Sequence, residues 1–316
     1  MRRFHINPNT GRVLRCYAGE SGICWYGDKA IHGNTKAETQ KLYEQAMKAA
    51  TVPQVASVKE LRKAPAIVLK NTDTKELNAT QLAQTLRHEA SELGMNAEVI
   101  DSAIDLATIL HAHQKRGNRG NFTETPYIEH PLRNSLRLVR MGVKNQDVIV
   151  ASILHDTIED GAKVFVEKFQ NNLTIGEEDA RSELGSHIGR TYGNNVLELV
   201  EAVTNDYMTD TDKSNMSEEV KNLIYLEHVQ ENINKNSNVL LVKISDFIDN
   251  ATGLHHNDVP ARREKTKKQA RKYLPVVEVF KSALKSSGLP EKQVTMLLSR
   301  MDTTKERLSS IISKDV

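Results

Sequence analysis

The sequence predicts a mainly α-helical fold. Aromatic residues make up only 5% of the 316 residues, and β-branched alternation is rare. Leu, Ala, Lys, Glu and Gln instead recur at helical spacing through most of the chain. The exception is residues 1–35, which carry Gly11, Gly19, Gly22, Gly27 and Gly33, both cysteines and Trp25. Such glycine spacing reads as turns, with room for short strands.

Thr35 is placed to cap a helix over TKAETQKLYEQAMKAA, and Pro53 stops it. Residues 51–78 read as a linker, within which APAIVLKN has the length of one short strand. From Asn78 the helical signals become regular: NATQLAQTLRHEASELG ends at Gly94, and AEVIDSAIDLATILHAHQKR follows. GNRGNFTETPY is a loop. A helix opens at His130-Pro131, where a proline is tolerated because its missing N–H would be unpaired anyway, and closes at Gly142. The next runs from Asn145 through Asp160, with further helices at 193–206, 217–235, 237–252, 261–285 and 290–313. The expected organisation is a turn-rich module plus helix (1–50), a linker (51–78), a helical domain (79–285) and a terminal helix (286–316).

Composition excludes several classes. Lys and Arg number 43 against 41 Asp and Glu, and this balance argues against a protein that works by coating nucleic acid. Two cysteines cannot staple a secreted scaffold. No apolar stretch reaches the ~20 residues of a membrane span, and no apolar run follows the basic MRRFHINPNTGR as in a secretory signal. A reduced cytoplasmic setting is the expectation.

The chemistry concentrates in LHDTIED. On a continuous helix His155 would stack over Glu159 and Asp156 over Asp160, giving two adjacent columns of acid and imidazole. Such a patch is costly unless a cation compensates the carboxylates. His130 heads the preceding helix, and Asp246 and Asn250 share a face in KISDFIDN after the apolar run VLLV. Gathering His130, His155, Asp156 and Asp246 gives two imidazoles and two carboxylates, which suit manganese, iron or zinc better than calcium or magnesium. Such a metal activates water and polarises a phosphoryl oxygen.

These motifs, in the order AxxxxHxxQxR, PYIxHP, LHDxxED and KxxDxxxN, resemble the HD-domain hydrolase half of the Rel/Spo alarmone enzymes. The stand-alone small alarmone hydrolases are the nearer likeness, over residues 95–285. The resemblance implies an HD-domain helical bundle that binds manganese and removes the 3′-pyrophosphate from (p)ppGpp. It assigns His130, His155, Asp156 and Asp246 to the metal and Glu159 and Asp160 to the attacking water. Arg116 corresponds to a residue near the base and Asn250 to one near the ribose. The family's nucleotidyl-transfer domain has no counterpart, so hydrolysis without synthesis is expected.

Two departures point to altered substrate recognition. The loop after Arg116 is lengthened by Gly117, Gly120 and Asn121. The family's ADRxHN reads SDFIDN, with Phe247 and Asp249 replacing Arg and His, and Gly253 stands where Thr is common. The rival readings are an HD phosphohydrolase for another nucleotide, or an antitoxin-like or phage counter-defence protein that neutralises an alarmone synthetase. Lys243 is a candidate phosphate contact, or equally one half of a structural ion pair. His111 and His113 read as packing or supporting groups, His255-His256 as helix-end groups, and ARREKTKKQARKY as a solvated face. His5, Cys16, Cys24 and His32 match no standard zinc spacing, so a reduced structural segment is the expectation there.

Overall fold

The computed structural model describes residues 4–6, 13–15, 32–49, 69, 72–117, 124–205, 214–257 and 259–314. Cys16, Cys24, Trp25 and most of APAIVLKN lie outside the described residues. Strands β1 (Phe4–Ile6), β2 (Val13–Arg15) and β3 (His32–Gly33) form an antiparallel sheet in the order β2-β1-β3. His5 pairs with His32 across β1 and β3. Helix α1 (Lys36–Ala49) follows, with Glu38 N donating to Thr35 Oγ1 at 3.0 Å, as the sequence predicts for that cap.

The helical body begins with α2 (Ala79–Glu92) and α3 (Ala97–Leu110). Asn78 and Gln81 form a reciprocal capping box, and Gly94 takes the left-handed conformation (φ 85°) that ends α2. A two-stranded ribbon, β4 (Lys115–Arg116) and β5 (Thr125–Pro126), frames the loop before α4 (Glu129–Arg140). Gly142, at φ 80°, closes α4 where the sequence predicts.

The single helix expected from Asn145 to Asp160 is two. Helix α5 (Gln146–Leu154) stops, and α6 (Thr157–Gln170) starts afresh with Asp156 as its flanking residue. A shared apolar period conceals this break, because the turn needs neither glycine nor proline. Helix α7 (Glu177–Tyr192) is also new relative to the sequence reading, which assigns no element between Gly161 and Tyr192. Its apolar face is thin and interrupted by Gly185 and Gly189. Next come α8 (Asn194–Val203), α9 (Glu218–Ile233), α10 (Ser237–Ala251), a 3₁₀ turn at Thr252–Asn257, α11 (Arg263–Ser286) and α12 (Glu291–Ser313).

Helices α5 and α10 form the centre. Every residue from Val148 to Leu154 is buried, as is every residue from Val239 to Asp249. A helix apolar nearly all round must be packed on all sides. Accordingly α10 touches α4, α5, α8, α9, α11 and α12. Each fully buried Leu, Ile or Val contributes ~1.5–3 kcal/mol relative to exposure, so these two helices make a rigid floor for whatever α10 presents.

At Gly161 α6 presses directly on α3: a Cβ there would lie 2.9 Å from Leu110 Cβ. Gly161→Val should lower unfolding free energy by ~1–3 kcal/mol, the usual cost of overpacking. Urea denaturation reads it, and an unchanged midpoint would contradict the close approach of the two helices.

Candidate metal centre

Three elements meet at one point. His130 comes from the first turn of α4, His155 and Asp156 from the α5–α6 break, and Asp246 from the middle of α10. Donor atoms of His130, His155 and Asp246 all lie within 4.8 Å of one another. Asp156 Oδ2 joins them, 3.1 Å from His155 Nε2 and 3.6 Å from His130 Nε2. The structure therefore brings together all four groups singled out from the sequence. Asp156 and Asp160 do keep the one-turn spacing, with Asp160 N donating to the Asp156 carbonyl at 2.9 Å, while Glu159 is held by Asn205 and the helix breaks at His155-Asp156 instead of continuing through it.

Both imidazoles are oriented from behind. His130 Nδ1 lies 2.8 Å from Asp249 Oδ2 and His155 Nδ1 lies 2.9 Å from the Ser152 carbonyl. As neither acceptor carries a proton, each Nδ1 is an N–H and each Nε2 is turned to the cluster. His155 Nε2 is buried and, among the described residues, has no hydrogen-bond partner; its approach to Asp156 is too oblique for one. An orphaned ring nitrogen facing two carboxylates and a second imidazole is a donor set of the kind that holds a divalent cation.

The electrostatics agree. Burial and then the Arg116 guanidinium push His130 down, against Asp246 and Asp249, so it stays neutral. Burial opposes protonation of His155, but Asp156 and Asp246 outweigh it and raise that imidazole to about 10. Against their burial, the same imidazoles hold Asp156 and Asp246 below the usual carboxylate range. Two such carboxylates demand positive charge at this spot.

Two supporting residues escape the sequence reading. Asp249, with no exposed surface, binds His130, accepts from Arg133 Nε at 3.0 Å, and lies 3.0 Å from Lys75 and 3.4 Å from Arg137. The sequence marks it only as a departure from the family's histidine, three residues after Asp246. Tyr127 donates to Asp156 Oδ2 at 2.6 Å and packs on the His111 ring at 4.7 Å. Its signal is its place in PYIEHP.

The remaining candidates are distributed around the cluster. Arg116 Nη2 donates to Asn250 Oδ1, and Asn250 Nδ2 donates to Asp246 Oδ1 at 2.6 Å. The two residues thus form one relay ending on the cluster, and buried Arg116 Nε has no hydrogen-bond partner among the described residues. Glu159 Oε2 accepts from Asn205 N and Nδ2, at 3.2 and 2.8 Å. Asp160 stands exposed one turn beyond Asp156. Lys243 is buried and donates to the Val203 carbonyl at 2.9 Å, so its ammonium is engaged at the end of α8. Arg116, Asn250, Lys115, Arg262, Lys265 and Tyr273 border a cavity of about 470 Å³ beside the cluster.

Asp249→Asn removes the charge that balances Arg133, Arg137 and Lys75. It should cost ~3–5 kcal/mol of stability and weaken divalent-metal affinity ~10–100-fold through loss of the His130 support. Denaturation and manganese titration read the two effects, and parental values in both would refute the role. A second outcome concerns pH. Partial desolvation at the edge of the cluster, then Asp156 and Glu159, raise Asp160 to about 6. A folded value above the unfolded one means that stability present at low pH is lost as pH rises through about 6. Metal-free Asp160→Asn should therefore be more stable than the parent at pH 7, with the advantage gone below about pH 4. Equal melting midpoints at pH 7 would contradict this.

Residues 127–260 match the HD domain family. The chain is 29% identical over 201 residues to the guanosine-3′,5′-bis(diphosphate) 3′-pyrophosphohydrolase of Aquifex aeolicus, covering 64% of this chain and 24% of that one. It is 26% identical over 183 residues to a probable guanosine-3′,5′-bis(diphosphate) 3′-pyrophosphohydrolase of Mycoplasma pneumoniae, covering 57% and 21%. The chain thus spans about a quarter or less of the length of these curated relatives. No described helix is long and apolar enough to cross a membrane. His130, His155, Asp156 and Asp246 all fall inside the matched region, so the stretch that holds the cluster is similar to the HD domain family and to the two named pyrophosphohydrolases.

Proposed function

We propose that this chain is a divalent-metal-dependent phosphohydrolase that removes the 3′-pyrophosphate of (p)ppGpp or a close relative, with manganese as its metal. The observation that carries this reading is the convergence of two Nδ1-anchored imidazoles and two carboxylates beside a cationic cavity. His130, His155, Asp156 and Asp246 would hold the metal. When bound, it supplies Lewis acidity towards the phosphoryl oxygen and lowers the pKa of water.

The chain's own residues do the rest. Asp160, raised to about 6, has the proton affinity of a group that exchanges protons near neutral pH. Glu159, pinned by Asn205, positions the attacking water from the adjacent turn. Arg116 is packed 5.4 Å from the Tyr127 ring centre and offers its unpaired Nε to the substrate's anionic or planar groups. Arg262 and Lys265 line the same cavity and supply positive charge for a polyphosphate. The basic stretch read as a solvated face therefore also supplies cavity-lining cations.

One observation sets this site apart from the family pattern. Phe247 occupies the family's arginine position, is buried, and packs on Tyr273 and Phe280 at 5.7 and 4.9 Å. That position therefore makes core contacts here and carries no charge for a nucleotide.

Incubation of the purified protein with ppGpp and manganese should release pyrophosphate and GDP. Orthophosphate, or no product across a nucleotide panel, would overturn the reading. Asp246→Asn should lose manganese binding and turnover together. Glu159→Gln should keep the metal while turnover falls ~10²–10⁴-fold; collapse of manganese affinity in that variant would make Glu159 a ligand. Arg116→Ala should chiefly raise KM, and an unchanged KM would remove it from the substrate cavity.

A further inference from the structure

Helix α10 borders a second cavity on its opposite side. At 3.6 residues per turn, Ile248 and Thr252 lie roughly 200° around the helix from Asp246 and Asn250. They border a separate cavity of about 430 Å³. Into it come Lys75 from the segment before α2, Arg137 from α4, His255 and His256 from the 3₁₀ turn, and Arg300 and Arg307 from α12. One lysine and three arginines from three distant parts of the chain meet at one hollow.

Acidic compensation falls short. Among the described residues the lining carboxylates are Asp73 and Glu76, and Asp73 Oδ1 already accepts from Lys75 N at 2.9 Å. Asp249, beneath the cavity, is shared by Arg133, Arg137, Lys75 and His130. Arg307 Nη1 is steered by the Thr252 carbonyl at 3.2 Å, and His255 Nδ1 lies 2.7 Å from that same oxygen. Both side chains are thus positioned by the 3₁₀ turn. The mutual repulsion is also visible at His256, which burial, His255, Lys75 and Arg307 push down to about 4.

We propose that this cavity binds a multiply charged phosphate anion, at a site distinct from the metal centre. Its volume is that of a small-molecule pocket. Clustered guanidinium forks bind phosphoryl oxygens in pairs, and among the described residues Arg300 and Arg307 border the cavity without a carboxylate partner. Lys75 and Arg137 also reach Asp249, so two side chains connect occupancy of this cavity to the carboxylate that orients His130. The binding claim does not depend on which nucleotide the metal centre hydrolyses.

The test is calorimetric titration of the metal-free protein with inorganic tripolyphosphate, orthophosphate and GTP. Tripolyphosphate should bind with a Kd that rises with salt. Arg300→Gln/Arg307→Gln should weaken it at least tenfold, more than Arg262→Gln/Lys265→Gln in the cavity beside the metal centre, while Lys292→Gln, at an exposed lysine bordering neither cavity, should retain it within about twofold. Arg300 is exposed, so Arg300→Gln alone keeps the fold and should still weaken binding several-fold; circular dichroism checks the double variant. GTP binding tighter than tripolyphosphate assigns a nucleotide, and equal or weaker binding assigns an inorganic chain; either supports the site when Arg300→Gln/Arg307→Gln abolishes it. Parental affinity in the Arg300 variants, loss that follows Arg262 and Lys265 instead, or orthophosphate binding as tightly as tripolyphosphate would each overturn the proposal.

Discussion

Asp249 is a carboxylate with no contact to water, held by Arg133, Arg137, Lys75 and the Nδ1 of His130. Moving such a group out of water costs several kcal/mol, which only close opposite charges and hydrogen bonds offset. Helix α4 supplies three of these partners from one face, at positions 130, 133 and 137. A slip of α4 against α10 by one turn would strand the charge. Their register is therefore fixed, and with it the approach of His130 to Asp246, at 3.1 Å between Nε2 and Oδ1. Ser245 reinforces it, donating to the Asn134 carbonyl at 2.8 Å while its own carbonyl accepts from Arg137 at 2.8 Å.

The metal cluster rests on that register and on the break between α5 and α6. A continuous helix would spread His155, Asp156, Glu159 and Asp160 along one surface. The break turns His155 back onto the Ser152 carbonyl and leaves Asp156 Oδ2 to Tyr127. The result is a compact set of nitrogen and oxygen donors beside a cavity with Arg116 and Asn250 at its mouth. The Arg116–Asn250–Asp246 relay joins the residues proposed for substrate and for metal in one hydrogen-bonded unit.

Much of this was legible in the sequence. The helical class, the capped starts at Thr35 and Asn78, the glycine stops at Gly94 and Gly142, and the buried run before Asp246 all follow from local rules. Convergence of His130, His155, Asp156 and Asp246 was anticipated from motif order, which carries more information than periodicity. The α5–α6 break was not, since an unbroken apolar pattern crosses it and no glycine or proline marks it. Helix α7 was missed because its buried face is narrow, with Ala180, Leu184 and Ile188 separated by polar residues and glycine. Asp249 looked like a loss of the family's histidine. Its role depends on Lys75, Arg133 and Arg137, which lie more than a hundred residues away in sequence and meet only in the fold.

Anomalous diffraction at the manganese edge from crystals grown with manganese tests the central claim most directly. The account predicts one strong peak bounded by His130 Nε2, His155 Nε2 and carboxylate oxygens of Asp156 and Asp246. A peak elsewhere, or a manganese-saturated protein in which His155 Nε2 faces no metal, would contradict it.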